Sequence, residues 1–175
     1  MNHITIRPEM PADIPAIFNV HLLAFGQPAE AQLADALRRD GDLIPELSLV
    51  AVNEGRIVGH ILFPPITITS PEGSAPALAL APMAVLPGFQ RSGIGSLLVR
   101  EGLAVCRRLG HRIVVVVGHP AYYPRFGFIP ARVRGIEAPF PVPDEAFMVM
   151  ALDEGSLEGV HGTVRYPRAF DMVKE

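Results

Sequence analysis

The chain has 175 residues, 49% of them hydrophobic, and residues 1–175 read as a single domain able to bury a sizeable core. A formal net charge of −3 with no Lys/Arg run argues against nucleic acid as a partner, and no stretch is apolar enough to span a membrane. The start Met1-Asn2-His3-Ile4-Thr5-Ile6-Arg7 lacks signal-peptide architecture, a lone cysteine rules out an internal disulfide, and singly scattered histidines leave no metal site, so a cytoplasmic protein without a metal is expected.

In chain order the pattern predicts a strand at 3–7, helices at 12–25 and 29–40, and strands at 48–53, 57–69 and 77–86. A helix at 93–109, a strand at 112–118, a short helix near 121–125 and strands around 127–133 and 146–152 complete the list. Pro64-Pro65, Pro71-Glu72-Gly73 and Pro87-Gly88 punctuate the strands. Strands mixed with helices predict an α/β fold (α+β in some schemes) with a central mixed sheet covered on both faces. In the first helix, His21 shares a face with Ile14, Ile17, Phe18 and Phe25, and His60 lies inside a strand. Both read as structural histidines.

The most informative stretch is Met83-Ala84-Val85-Leu86-Pro87-Gly88-Phe89-Gln90-Arg91-Ser92-Gly93-Ile94-Gly95-Ser96. An apolar strand runs into a glycine loop that opens a helix. The first amides of a helix lack intrahelical partners and favour negative charge, so this corner suits a phosphate. Gly93 and Gly95 carry no Cβ to obstruct the anion, and Arg91 supplies a charged contact at the rim. Ser92 is placed to cap the helix, and Ile94, Leu98, Val105 and Leu109 form its apolar face, with Leu97 and Cys106 beside it. Cys106 therefore reads as a small buried hydrophobe. A nucleoside triphosphate site would need Lys then Ser or Thr after the last glycine, and a dinucleotide site a third glycine. Neither is present.

What remains is Gln/Arg-x-x-Gly-x-Gly/Ala, read as Gln90-Arg91-Ser92-Gly93-Ile94-Gly95, which resembles the coenzyme A pyrophosphate loop of the GNAT superfamily of N-acetyltransferases. Downstream, the β-branched run Ile113-Val114-Val115-Val116-Val117 leads through Gly118-His119-Pro120 to Ala121-Tyr122-Tyr123-Pro124-Arg125-Phe126-Gly127-Phe128. Tyr123 stands where GNAT proteins carry a tyrosine four residues before the Gly of a Gly-Phe pair. The Tyr-x-x-Phe-Gly-Phe spacing resembles the YhbS-like subgroup, and the likeness extends over nearly the whole chain.

The resemblance implies a three-layer αβα GNAT fold of about seven strands, splayed between the strands at 77–86 and 112–118. It implies acetyl-CoA as co-substrate and a small-molecule or peptide amine as acceptor, with direct transfer in a ternary complex. Met83, Ala84 and Val85 would pair with the pantetheine arm, and Gln90, Arg91, Ser92, Gly93, Ile94, Gly95 and Ser96 would hold the pyrophosphate. Tyr123 would hydrogen-bond or protonate the departing thiolate. Glu30, on a helix face with Leu33, Ala34 and Leu37, is a candidate base or amine ligand. His119, at the carboxyl end of a buried strand, is a candidate relay, although many GNAT proteins carry an Asn there. A non-catalytic acyl-CoA-binding module, a longer acyl donor or an oxygen acceptor, and a homodimer packed through the Pro-rich segment at 139–143 and the tail around Tyr166 and Phe170 stay open.

Overall fold

The computed structural model describes residues 3–173; Met1, Asn2, Lys174 and Glu175 lie outside it. In chain order the strands are β1 (Ile4–Pro8), β2 (Ser48–Asn53), β3 (Arg56–Leu62), β4 (Pro65–Ser70), β5 (Gly73–Ala79) and β6 (Met83–Val85). They continue with β7 (Ile113–Val117), β8 (Ile129–Pro130), β9 (Ile136–Glu137), β10 (Phe147–Ala151) and β11 (Gly162–Arg165). The α-helices are α1 (Ile14–Phe25), α2 (Ala29–Arg39) and α3 (Ile94–Arg108). The described residues divide into two compact units, one of residues 3–64, 81–105 and 168–173, the other of residues 65–80 and 106–167.

The first unit holds a four-stranded sheet in the order β1-β2-β3-β6. β2 and β3 meet at Glu54-Gly55, whose φ values of 49° and 79° suit the tight turn joining twisted antiparallel strands. α1 packs on β3 and β6. It ends at Gly26, a left-handed residue with φ 70°, whose N–H donates to the Leu22 carbonyl at 2.9 Å. α2 buries Leu33 and Leu37 with Leu62 and Ala169. Each such leucine contributes about 2 kcal/mol of burial. Gly102 of α3 lets the Phe63 ring lie against the helix backbone, in space a Cβ would occupy.

The second unit holds a seven-stranded mixed sheet in the order β8-β10-β7-β5-β4-β11-β9. β7 is buried from Ile113 to Val116 and pairs antiparallel with β10 and parallel with β5. Its core gathers Ile66, Ile68, Val115, Phe147, Val149 and Val164.

Several expectations change in detail. The strand expected at 57–69 is two strands, β3 and β4, and that expected at 77–86 is β5 and β6, each pair falling in different sheets. Prolines mark both breaks, at Pro64-Pro65 and Pro82, because proline cannot donate to a ladder. The strand expected at 127–133 shrinks to β8, followed by a 3-10 turn over 131–134. Leu109, expected on the apolar face of α3, lies past its end and is 42% exposed.

Candidate active site

β6 is an edge strand of its sheet, bonded to β3 on one side only, with Gly59 opposite Val85, His60 opposite Ala84 and Ile61 opposite Met83. Such an edge offers backbone groups to an extended amide chain. After it the chain makes a 3-10 turn at Pro87–Phe89 and then an exposed corner through Gln90-Arg91-Ser92-Gly93. Arg91 and Gly93 both take left-handed conformations, with φ 62° and 89°. These turns bring the chain into the start of α3, whose first-turn amides have no carbonyl one turn back within the helix.

Two loop side chains bond back onto the segment that precedes them. The Gln90 side-chain amide donates to the Val85 carbonyl at 2.9 Å, tying the corner to the end of β6. Ser92 does not cap α3 as expected: its hydroxyl donates backwards to the Phe89 carbonyl. The hydroxyl therefore tightens the corner and leaves the helix start to backbone groups.

In the second unit, β7 ends at Gly118, and a tight turn follows in which the amides of Tyr122 and Tyr123 donate to the His119 carbonyl at 3.0 and 3.4 Å. A 3-10 helix over Tyr123–Phe126 closes at Gly127 (φ 112°). The Tyr123 ring is buried in an aromatic box, edge-on to Tyr122 at 5.0 Å and Phe128 at 5.7 Å, with Phe126 at 6.4 Å. Burial, with Tyr122 adding to it, pushes its phenol up to about 12. Among the described residues nothing hydrogen-bonds the Tyr123 hydroxyl.

The two candidates for handling the amine proton have simple surroundings. Glu30 is half-buried on α2, in the face with buried Leu33, Ala34 and Leu37, and its carboxylate accepts from Gln27 at 3.3 and 3.5 Å. His119 is exposed, and its Nδ1 accepts the Ala121 N–H at 3.3 Å. Tyr123 and His119 come together in one turn, as do Met83–Val85 and the glycine corner in one segment. Glu30 belongs to neither segment and lies in the first turn of α2. Cys106 is buried, and burial pushes its thiol up to about 12, as suits a hydrophobic filler.

Sequence reasoning missed a buried polar chain in the first unit. Arg38 donates twice to Glu9, at 2.9 Å each, and once to Asp35 at 3.1 Å. Ser48 donates to Glu9, His60 Nε2 lies 2.8 Å from Ser48 Oγ, and His21 Nε2 lies 2.8 Å from His60 Nδ1. Chemistry fixes every donor. His60, whose Nε2 lies 3.6 Å from a Glu9 oxygen, together with Arg38 and the Ser48 hydroxyl brings Glu9 down to about 2 against its burial, so it only accepts. Ser48 must then donate to Glu9 and accept from His60 Nε2–H. A neutral His60 has no second N–H, so its Nδ1 accepts from His21 Nε2–H. The chain ends at His21 Nδ1, a buried lone pair without a partner among the described residues. Burial pushes His21 down to about 3 and His60 down as well. An imidazole whose burial disfavours its charged form is a poor acceptor for the proton of an alkylammonium, whose ordinary pKa is about 10.4. The pair is a structural brace, as the apolar setting of both histidines suggested, and not the base.

An edge strand, a glycine corner and a helix start, in a mixed α/β fold, are the features by which the chain resembles the acyl-coenzyme A transferases of the GNAT type. Residues 5–131 match the acetyltransferase (GNAT) domain family, and the chain belongs to that family. It is 41% identical over 146 residues to the uncharacterized N-acetyltransferase YjhQ of Escherichia coli, covering 83% of this chain and 81% of that protein. The crystal structure of E. coli YhbS in complex with CoA superposes with a TM-score of 0.91 at 34% identity, covering 98% of this chain and 93% of that one. A GNAT family acetyltransferase from Brucella melitensis in complex with acetyl-CoA gives 0.80 at 35% identity, covering 98% and 100%. The chain is thus an acyltransferase of the GNAT fold. Among the described residues no helix is long and apolar enough to cross a membrane.

Proposed function

We propose that the chain, acting as one catalytic domain over residues 1–175, transfers an acetyl group from acetyl-CoA directly to a primary amine in a ternary complex. The observation that carries this reading is the edge strand β6 running through the Gln90–Gly93 corner into α3. Relatives that hold CoA and acetyl-CoA support it. Met83, Ala84 and Val85 pair with the amides of the pantetheine arm. An N–H near Val85 faces the developing oxyanion, and loss of such a donor typically slows transfer about a hundred- to thousandfold. The backbone from Ser92 to Ser96 holds the pyrophosphate, with Arg91 at its rim.

In the transfer, the amine nitrogen attacks the thioester carbonyl carbon, the carbon–sulfur bond breaks, and the sulfur leaves with its electron pair. Tyr123 meets that sulfur. With the phenol pushed up to about 12 against about 8.5 for a thiol, full proton transfer to the thiolate is uphill by roughly 5 kcal/mol. Tyr123 therefore stabilises the thiolate by donating a hydrogen bond, and bulk solvent supplies the proton. Glu30 binds or deprotonates the amine and His119 relays the proton outward. The acceptor is a small-molecule or peptide amine.

Incubation with acetyl-CoA and an amine panel, with mass spectrometry of the products, tests the reading. Thiol release with acetylated amine supports it, whereas tight cofactor binding without turnover on any amine favours a binding module. Tyr123→Phe is expected to lower kcat at least tenfold with acetyl-CoA affinity nearly unchanged. An unaltered kcat removes Tyr123 from the reaction.

A further inference from the structure

Gly118 has no unusual backbone angle and no side chain, yet its surroundings are specific. It caps β7 with its N–H donating to the Ala146 carbonyl at 2.9 Å, which fixes its Cα against the sheet. The chain then doubles back through His119, so that the ring five residues later returns onto Gly118. A Cβ built at position 118 would stand 2.8 Å from Tyr123 Cδ2 and 3.3 Å from Cζ, and would overlap Cε2. Real side chains do not approach this closely. The other sides of the ring are taken by Tyr122, Phe126 and Phe128.

We propose that Gly118 is a positioning residue for Tyr123: the bare Cα is the floor on which the aryl ring lies, and it sets where the hydroxyl stands. The inference rests on the role given to Tyr123 above. The floor is fixed by the sheet, while the ring is the movable end of a side chain, so any side chain at 118 displaces the ring rather than the strand. Displacement lifts the ring out of its box and carries the hydroxyl away from the sulfur it serves. A shift of about 1 Å in a reacting group is enough for a rate loss on the order of a hundredfold. His119 shapes the turn through its carbonyl, which accepts from the amides of Tyr122 and Tyr123. The phenol's high pKa agrees with a ring held deep by this floor.

The test is a cycle of Gly118→Ala, Tyr123→Phe and the double variant, made in protein labelled with fluorotyrosine. The chain has three tyrosines, and the Tyr123 fluorine signal is assigned by its loss in Tyr123→Phe. In Gly118→Ala that signal is expected to move while the Tyr166 signal stays, with thermal unfolding still cooperative. Turnover is expected to drop at least tenfold with acetyl-CoA affinity within about twofold of wild type. The double variant should turn over no more slowly than Tyr123→Phe alone, because Gly118 acts only through the hydroxyl. An unmoved Tyr123 signal overturns the proposal, as does a double variant slowed well beyond Tyr123→Phe. If Gly118→Ala fails to fold, Gly118→Ala/Tyr123→Leu should fold again, since the obstructing ring is gone, and continued failure also overturns it. Full turnover in Tyr123→Phe would remove the catalytic role of Tyr123, while the fluorine signal still decides whether Gly118 places the ring.

Discussion

Glu9, Ser48, His60 and His21 are held by hydrogen bonds arriving from β2, β3, α1 and α2, whereas Tyr123 is held by rings and by the bare backbone of Gly118. Both regions bury a polar aromatic side chain, and both leave one polar atom without a hydrogen bond among the described residues. They reach that state differently. In the chain, each donor is obliged by the one before it, and the leftover lone pair at His21 Nδ1 follows from counting protons. In the box, packing alone holds the ring, so its hydroxyl is uncommitted. A hydrogen-bonded chain is a brace whose value is lost when one member goes. An aromatic box can keep its shape while the group it presents is changed, which is what a reacting side chain requires.

The comparison breaks most sharply at Glu9. Its carboxylate is the sink into which Arg38 and Ser48 donate, and its side chain is only 10% exposed. Glu9→Ala leaves the Arg38 guanidinium with Asp35 alone and strands the Ser48 hydroxyl. A stability loss of about 3 kcal/mol is expected, typical of removing one partner of a buried pair. Urea unfolding measures it. Tyr123→Phe, by contrast, should unfold at nearly the wild-type midpoint, because no hydrogen bond is lost. Equal losses in the two variants would end the distinction between brace and box.

A smaller effect separates the two histidines from the carboxylate. His21 is pushed down to about 3 by burial, with the neighbouring His60 adding to it, from its ordinary 6.5. The unfolded chain therefore takes up a proton below about 6.5 that the folded chain refuses, and stability falls as the pH drops through that window. The slope from His21 is about 1.4 kcal/mol per pH unit. Glu9 acts in the same direction but only below its ordinary 4.5, where its depressed value starts to cost stability. In His21→Gln the side-chain amide still donates to His60 but takes up no proton. Between pH 6 and pH 5 (roughly one unit below the ordinary histidine value) its urea midpoint should fall less steeply than that of wild type. Parallel slopes would show that His21 is not the source.

These features differ in how far they can be read from residues alone. The glycine corner was legible because strand end, corner and helix start are consecutive, and each residue's chemistry acts on its neighbours. Tyr123 was legible through its spacing from Gly127-Phe128. The division of Ala77–Leu86 into β5 and β6 was not, because both halves are equally apolar and only the partner strand distinguishes them. Pro82 was the local sign of it. The brace was hidden for a related reason: His21 and His60 are 39 residues apart, and each taken singly sits among apolar residues. Gly118 carries no signal of its own, since its meaning comes entirely from a ring that folds back upon it. Ser92 shows the converse, a residue of capping type whose hydroxyl is spent on Phe89.

The smallest effect lies in the corner itself, which differs from both brace and box in being exposed. Arg91 holds a left-handed conformation, φ 62°, that costs a residue with a side chain roughly 1–2 kcal/mol. Glycine takes that conformation freely, but loses about 0.5–1 kcal/mol more chain entropy on folding. Arg91→Gly is therefore expected to raise stability by about 0.5 kcal/mol. If the guanidinium meets a phosphate, the same substitution should weaken acetyl-CoA about fivefold, near 1 kcal/mol, and less so at high salt. Calorimetric titration and urea unfolding on one variant then read opposite signs. A rise in stability with no loss of affinity would show that Arg91 only turns the corner, and a loss of both would show that its conformation is supported by contacts the guanidinium makes within the chain.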